Sequence, residues 1–308
     1  MAFRHQIVII AQPVGKMKSP PGADCSKTRR LLQARGALAF AVKLRYNVGA
    51  KGGNGEMETR QTKQTSAGRR AALVLAALLL LALLLCALTM TRVYPAMPEA
   101  LQVLERPADG VTVRRGAERI DFIPAHPQAG LAFYPGAMVQ FEAYAPLMER
   151  LAGRGVLCVL LRMPGNLAVL NPDAADGVQA DYPEITRWFL GGHSLGGAVA
   201  ANYLEKHGGE YDGLLLLAAY SVADLSGEQL RVLTVYGSED GLLERNRLES
   251  GRALLPADAE EVVLPGGCHA CFGSYGAQPG DGVPTITRAQ QQEQTADLAA
   301  AFCLENAA

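Results

Sequence analysis

Short apolar runs alternate with longer amphipathic stretches over the last two thirds of the chain. Short apolar or alternating runs are typical of strands, and apolar residues spaced three or four apart are typical of helices. The pattern predicts strands at 111–115, 119–123, 130–134, 156–161, a run reaching Phe189, 213–219, 232–236 and 261–264, and helices at 141–153, 195–207, 242–255 and 287–304. Nearly continuous apolar strands alternating with helices predict an α/β fold, with a mostly parallel sheet covered by helices on both faces.

Residues 71–90 carry a different pattern, because these twenty residues are rich in leucine and alanine and hold no charge. A helix of this length spans about 30 Å, the thickness of a bilayer core. Basic residues between positions 60 and 70 favour a cytoplasmic N-terminus. A cleaved signal peptide is the alternative, but residues 89–92 offer no small-residue cleavage site. We therefore predict one uncleaved transmembrane helix, with the α/β domain on the extracytoplasmic side of the cell membrane.

The net charge of −1 conceals two oppositely charged regions. Residues 1–70 carry 14 Lys and Arg against 3 Asp and Glu, and residues 71–308 carry 15 against 27. We expect a disordered basic segment at 1–70, a linker at 91–110 and the α/β domain at 111–308. A nucleic-acid-binding tail is the alternative for the basic segment, but its charges are scattered, so we expect no nucleic-acid partner. A further hypothesis is that translation begins at Met57 and that 1–56 is not translated.

The sequence Gly192-His193-Ser194-Leu195-Gly196 lies between a predicted strand and a predicted helix. It fits G-x-S-x-G, in which a sharp strand-to-helix turn presents the serine. The turn strains the serine backbone, so the residues two before and two after it must be small. A glycine-rich turn with a chance serine is the alternative. The pattern predicts Ser194 as a nucleophile, and we expect the side chain of His193 to point away along the turn.

A serine hydroxyl needs an imidazole to take its proton, and the imidazole needs a carboxylate to orient it. Asp240 follows the predicted strand 232–236, and His269 follows the predicted strand 261–264. Both residues thus lie in loops at strand ends, in the chain order Ser, Asp, His. We predict Asp240 as the orienting acid and His269 as the base, with Glu239 as the alternative acid.

Attack on a carbonyl also needs N–H donors for the negative charge that develops on its oxygen. We predict the backbone N–H groups of Leu195, which follows the nucleophile, and of Ala137, in the Pro-Gly loop after strand 130–134. Arg162 and Asn166 are candidate substrate contacts, and a surface charge and a turn residue are their respective alternatives. The segment between the predicted strands 213–219 and 232–236 is too short for a large lid.

Together these motifs resemble the α/β-hydrolase superfamily, and within it the compact group related to dienelactone hydrolases. The resemblance covers about residues 110–305 and is carried by the segments 133–136, 162–168, 191–197, 236–240 and 269–276. It implies an α/β-hydrolase fold without a large lid and hydrolysis of a carboxylic ester or a related acyl bond. Dienelactone hydrolases use a cysteine nucleophile where this chain has Ser194, so their substrate is not carried over.

Cys268 and Cys271 enclose His269 in a C-x-x-C motif. Zinc binding would need a fourth ligand and would occupy the base, and a redox motif would prefer the start of a helix. A disulfide between the two cysteines stays open if the domain lies outside the cytoplasm, and two plain loop residues are the remaining alternative. We predict neither a metal nor a cofactor.

The sequence as a whole predicts a membrane-anchored serine hydrolase that acts on a small-molecule, lipid or cell-envelope acyl substrate through an acyl-enzyme. Two alternatives stay open: an acyltransferase that uses the same three residues, and a membrane-anchored binding protein that keeps the fold without turnover. No member of the set Ser194, Asp240 and His269 is missing, which favours the enzyme.

Overall fold

The computed structural model describes residues 66–90 and 93–305. The predicted disordered segment as far as residue 65, with Met57, lies outside the described residues. Helix α1 spans Ser66–Met90. Among the described residues, no helix is both long enough and apolar enough to cross a membrane. The side chains of 82–90, in the second half of the predicted span, lie outside the described residues.

In the part of the chain that the structure describes, eight strands form one sheet in the order β1-β2-β4-β3-β5-β6-β7-β8. Strand β2 pairs antiparallel with β1 and β4, and all other pairs are parallel. The strands are β1 (Val111–Arg115), β2 (Arg119–Pro124), β3 (Ala129–Tyr134), β4 (Val156–Leu161), β5 (Trp188–His193), β6 (Gly213–Leu217), β7 (Arg231–Gly237) and β8 (Glu260–Leu264). The predicted α/β fold with a mostly parallel sheet is confirmed.

Helices cover both faces of this sheet. The helices after α1 are α2 (Pro98–Glu105), α3 (Ala145–Ala152), α4 (Leu195–His207), α5 (Arg245–Gly251) and α6 (Arg288–Leu304). Successive residues of a strand point to opposite faces, so β3 contributes to two cores. Leu131 and Phe133 belong to the core with residues of α3 and α6, whereas Ala132 and Tyr134 belong to the core with residues of α4. Every residue of β3, β4 and β5 is buried, which agrees with the apolar sequences of β3 and β4 and of β5 as far as His193.

The segment predicted as a linker, 91–110, instead contains helix α2 and contacts the domain. Tyr94 donates its N–H to the Met138 carbonyl at 2.7 Å, and Ala100 and Leu104 of α2 are buried. Ala100 and Leu104 are four residues apart and share one helix face, but eight residues give too short a pattern to recognise in the sequence. The domain therefore begins before residue 111.

Two helices are shorter than predicted because 3-10 turns replace part of each. Residues Phe141–Tyr144 form a 3-10 turn before α3, and Arg252–Leu254 form another after α5. The predicted helix at 242–255 starts only at Arg245 because the N–H groups of Leu242 and Leu243 bond to the Asp240 carboxylate. These hydrogen bonds place the start of α5 beside the loop that carries Asp240.

Candidate active site

The turn from β5 to α4 holds Ser194 in a strained conformation. Its φ is +53°, a left-handed value that a non-glycine residue adopts rarely. A side chain on Gly192 would run into the backbone of Gly196 and Gly197, and one on Gly196 would run into the carbonyls of Tyr134 and Pro135. Only glycine fits at these positions, as the G-x-S-x-G pattern predicts. Ser194 thereby sits at the N-terminus of α4, at the carboxyl edge of the sheet.

Asp240 and His269 meet at the ends of the neighbouring strands β7 and β8. The His269 Nδ1 lies 2.9 Å from Oδ2 and 3.1 Å from Oδ1 of Asp240. The same carboxylate accepts the N–H groups of Leu242 at 2.9 Å and Leu243 at 2.8 Å, which fix its orientation. The Asp240 and His269 side chains are both buried, at 0% and 4% exposed. Glu239, the alternative acid, is exposed and bonds to the Ser238 hydroxyl instead.

Ser194 and His269 line one cavity of about 230 Å³. Its walls also include the apolar side chains of Leu195, Ala198 and Leu242. Between the described residues Ser194 and His269 the structure contains no side-chain hydrogen bond. Catalytic contacts of this kind are often long without substrate and tighten when it binds. The structure therefore brings the three predicted residues to one place, with the imidazole held by the carboxylate.

The two predicted oxyanion donors lie in the loops that flank Ser194. In the loop after β3, the N–H of Gly136 donates to Tyr144 at 3.0 Å and the N–H of Met138 donates to the Asn166 carbonyl at 2.8 Å. Between them, the Ala137 N–H has no hydrogen-bond partner among the described residues, and neither has the Leu195 N–H. Of these two residues, Leu195 lines the cavity of Ser194.

Arg162 and Asn166, the candidate substrate contacts, do not line the cavity of Ser194. They line a separate cavity of about 410 Å³. The Arg162 guanidinium donates to the Ala117 carbonyl at 3.0 Å and lies over the Phe141 ring. The Asn166 carbonyl instead holds the loop that carries Ala137. The sequence suggested that Arg162 and Asn166 lie near Ser194. In the structure the chain turns at Asn166, whose φ is +56°, and both side chains lie outside the cavity of Ser194.

The side chain of His193 does not point away along the turn, contrary to expectation, but lies buried between two loops of the site. Its Nε2 is 3.1 Å from the His269 carbonyl, and since a carbonyl only accepts, Nε2 carries the proton. Its Nδ1 then accepts from the Tyr144 hydroxyl at 2.8 Å, which itself accepts from the Gly136 N–H. Burial, followed by the charge of nearby His269, lowers the pKa of His193 well below its usual value. A neutral chain of hydrogen bonds therefore links the loop after β3 to the backbone carbonyl of His269.

Asp281 connects the loop of Asp240 to the loop of His269 by hydrogen bonds. This residue was not predicted from the sequence. Its carboxylate accepts the N–H groups of His269 at 3.2 Å and Ala270 at 2.8 Å, and that of Gly241 at 3.2 Å. Burial raises its pKa, but these N–H groups outweigh burial and the pKa of Asp281 lies below its usual value. Asp281 lies between Gly280 and Gly282, a pattern that is typical of a turn. This pattern was the signal in the sequence by which Asp281 could have been identified.

The C-x-x-C pair lies beside His269, and both of its thiols are free. The Sγ atoms of Cys268 and Cys271 are 3.3 Å apart, and both residues are buried. The imidazole between them turns its Nδ1 to Asp240 rather than to the sulfur atoms. Among the described residues, no group of three or more His, Cys, Asp or Glu side chains is arranged to hold a metal ion.

A serine on a strained strand-to-helix turn, with a histidine and an aspartate at later strand ends, is the arrangement of α/β hydrolases. Residues 130–293, more than half of the chain, match the profile described as "Alpha/beta hydrolase family". The chain belongs to this family, and the resemblance to the α/β-hydrolase superfamily inferred from the sequence is confirmed.

Solved structures share the fold at low sequence identity. The bacterial heroin esterase is 16% identical, with 68% of this chain and 90% of that chain covered and a TM-score of 0.51. A dienelactone hydrolase from Anabaena variabilis is 14% identical, with 63% and 97% covered and a TM-score of 0.49. At 16% identity the likeness to the heroin esterase concerns the fold alone, and the likeness to the dienelactone hydrolase is weaker still.

One curated protein matches over a short segment. The large subunit of 3-isopropylmalate dehydratase from Thermococcus kodakarensis is 38% identical over 58 residues. The match covers 19% of this chain and 15% of that protein, so the chain spans only a small part of its length. Nothing of that protein's activity is transferred.

Proposed function

We propose that this α/β hydrolase is a serine hydrolase that cleaves a carboxylic ester or a related acyl bond. Ser194 is the nucleophile, His269 the base and Asp240 the orienting acid. The observation that carries the proposal is the bond of 2.9 Å between Asp240 and His269 beside a cavity that Ser194 also lines. A merely structural serine turn would not need a buried carboxylate and imidazole at the same cavity.

The chemistry follows from which nitrogen of His269 is free. Because Nδ1–H is held by Asp240, Nε2 is the basic nitrogen and takes the proton of the Ser194 hydroxyl as its oxygen attacks the acyl carbon. The N–H groups of Leu195 and Ala137 donate to the oxygen that becomes negative. His269 then protonates the leaving alcohol, and water releases the acyl group from Ser194 by the reverse proton path.

The cavity favours an acyl group of modest size. Its volume of about 230 Å³ and its apolar walls suit a short apolar acyl chain, with longer chains extending out of its mouth. We propose a small-molecule, lipid or cell-envelope acyl ester as the substrate class. An acyltransferase would use the same residues and differ only in the acceptor that attacks the acyl-enzyme.

The full-length protein in detergent should react with a fluorophosphonate probe, which labels activated serines covalently. We expect labelling to be lost in Ser194→Ala and to slow by at least about 10³-fold in His269→Ala. Ser250→Ala, which removes an exposed hydroxyl on α5, is the matched control and should label like the wild type. A folded wild-type protein without labelling would contradict the proposal and favour the binding alternative.

We also propose that residues 71–90 anchor the chain in the cell membrane, with the N-terminus cytoplasmic and the hydrolase domain extracytoplasmic. The absence of charge over these twenty residues supports this proposal. The full chain should stay with membranes through an alkaline carbonate wash, and its domain should be cut by protease added outside spheroplasts. Release by the wash would contradict the anchor, and protection from protease would contradict the orientation.

A further inference from the structure

Two thiols flank His269 within contact distance of each other. Cys268 precedes the histidine, and Cys271 lies in the 3-10 turn Ala270–Phe272 that follows it. The Sγ–H of Cys268 donates to Sγ of Cys271 at 3.3 Å. A disulfide has an S–S length of about 2.05 Å, so the sulfur atoms need to approach by only about 1.3 Å. The spacing of the two residues and the turn between them allow this approach within one loop.

The electrostatics give the two thiols different roles. The hydrogen bond from Cys268, and secondly the Arg288 guanidinium, lower the pKa of Cys271, while burial and Asp281 oppose them. The same bond and burial raise the pKa of Cys268. Since the thiolate is the reactive form, Cys271 is the attacking sulfur and Cys268 the one that resolves. Cys271 is also the more exposed of the two residues, at 6% against 2%.

Two other cysteines of the domain provide the contrast. Cys158 on β4 and Cys303 on α6 are fully buried. Burial raises the pKa of Cys303 to about 12 and that of Cys158 well above its usual value. Neither contacts a second sulfur by a hydrogen bond among the described residues. These two thiols should therefore resist an oxidant that reaches Cys271.

We propose that Cys268 and Cys271 form a redox-active dithiol, which a small peroxide converts into an intramolecular disulfide across the base His269. The Cys271 thiolate attacks one peroxide oxygen, the O–O bond breaks, and hydroxide leaves to give a sulfenic acid. Cys268 then attacks this sulfur, the S–O bond breaks, and the oxygen leaves as water with the Cys268 proton. Two thiols are oxidised, one hydrogen peroxide is reduced, and two waters form. The inference does not depend on the proposed hydrolase activity.

Peptide mapping tests the proposal on the full-length protein. The reduced protein is treated with stoichiometric hydrogen peroxide, and free thiols are then alkylated under denaturing conditions. The mass of the tryptic peptide 253–288 is measured by mass spectrometry. This peptide contains Cys268 and Cys271 and no other cysteine. We expect it to escape alkylation and to lose about 2 Da, the mass of two hydrogens, with recovery of both thiols after dithiothreitol. The peptides with Cys158 and Cys303 should stay alkylated and serve as internal controls.

Single variants test the order of attack. In Cys268→Ser, the Cys271 sulfenic acid has no resolving partner and should be trapped by dimedone, whereas in Cys271→Ser the remaining Cys268 should stay a thiol. A wild-type peptide 253–288 that keeps two alkylatable thiols would overturn the proposal, whether or not the variants fold. Oxidation of Cys158 or Cys303 at the same rate would overturn it as well.

Discussion

Two groups of polar side chains in this domain differ in their exposure to water. The buried polar set at the carboxyl edge of the sheet consists of Tyr144, His193, Asp240 and His269, each at most 6% exposed. The outer ion-pair set joins α3 and the turn after it to α6 through Arg150, Arg154, Glu293 and Asp297, whose side chains are 25–65% exposed. Hydrogen bonds join the members of both sets, so the presence of these bonds alone does not distinguish the two sets.

The difference lies in what happens when a partner is removed. Water replaces a lost partner at the outer set, and an exposed ion pair contributes about 0.2–1 kcal/mol. In the buried set a lost partner leaves a polar group away from water, which costs about 1–3 kcal/mol and more for a charge. Function should therefore depend on the buried set, and substitutions in the outer set should change little.

The largest effect is expected for Asp240→Asn. The amide can no longer hold the His269 tautomer that leaves Nε2 basic, so kcat or the rate of probe labelling should fall about 10³–10⁴-fold. Glu239→Gln is the matched control, because the neighbouring carboxylate is exposed and does not contact His269. Equal losses in the two variants would remove the distinction between the adjacent acids and contradict the assignment.

Gly196→Ala should abolish the turn that holds Ser194. Its methyl group would collide with the carbonyls of Tyr134 and Pro135, so we expect the free energy of unfolding to fall by more than about 3 kcal/mol. Gly227→Ala is the control, since a Cβ there meets no atom within 4 Å and stability should change by less than about 0.5 kcal/mol. Chemical denaturation measures both, and a fully stable Gly196→Ala protein would contradict the structure of the turn.

Tyr144→Phe removes the hydroxyl between Gly136 and His193. Two buried partners lose their hydrogen bonds, so the free energy of unfolding should fall by about 1–3 kcal/mol. Labelling of Ser194 should slow too, because the oxyanion loop loses its tie at Gly136. Tyr236→Phe, whose hydroxyl contacts Glu261 near the surface, should cost less. Equal costs would show that burial does not govern these contacts.

His193 should make stability depend on pH. Its pKa in the folded protein lies well below the usual value of about 6.5, so below that pH the unfolded chain binds a proton that the folded protein does not. The free energy of unfolding should therefore fall with falling pH, by up to about 1.4 kcal/mol per unit, and stay constant above pH 6.5 for this group. Denaturation at several pH values should show a shallower slope in His193→Gln, and an unchanged slope would contradict the buried neutral imidazole.

The smallest effect is expected for Arg154→Ala in the outer set. Arg154 contacts Glu293 and, at 2.6 Å, Asp297. Its loss should cost about 0.2–1 kcal/mol at low ionic strength and less in high salt, because salt screens exposed charges. Denaturation at two salt concentrations checks this value. A loss of more than about 2 kcal/mol in the free energy of unfolding would show that the outer set is as sensitive to a lost partner as the buried set, which would contradict the comparison.

The sequence predicted the bounds of a segment best where the segment is wholly apolar or is followed by a glycine. Strand β4 is apolar and buried throughout, and strand β1 and helix α4 end directly before Gly116 and Gly208, so all three have the predicted bounds. Helix α2 was missed because only Ala100 and Leu104 are buried in it. Helix α5 was predicted too long, because the Asp240 side chain competes for the N–H groups of its first turn.

The sequence by itself determined the fold class, the strained serine turn and the chain order of Ser194, Asp240 and His269. Each of these follows from local patterns, since every strand, helix and strand-end loop is marked by the residues within it. Only the tertiary structure decided that His193 and Tyr144 link the oxyanion loop to the base loop, and that Arg162 lies outside the cavity. These contacts join residues far apart in the sequence, and no local pattern encodes which side chains the folded sheet brings together. The arrangement on which the proposed catalytic roles rest is therefore a property of the packed edge of the sheet.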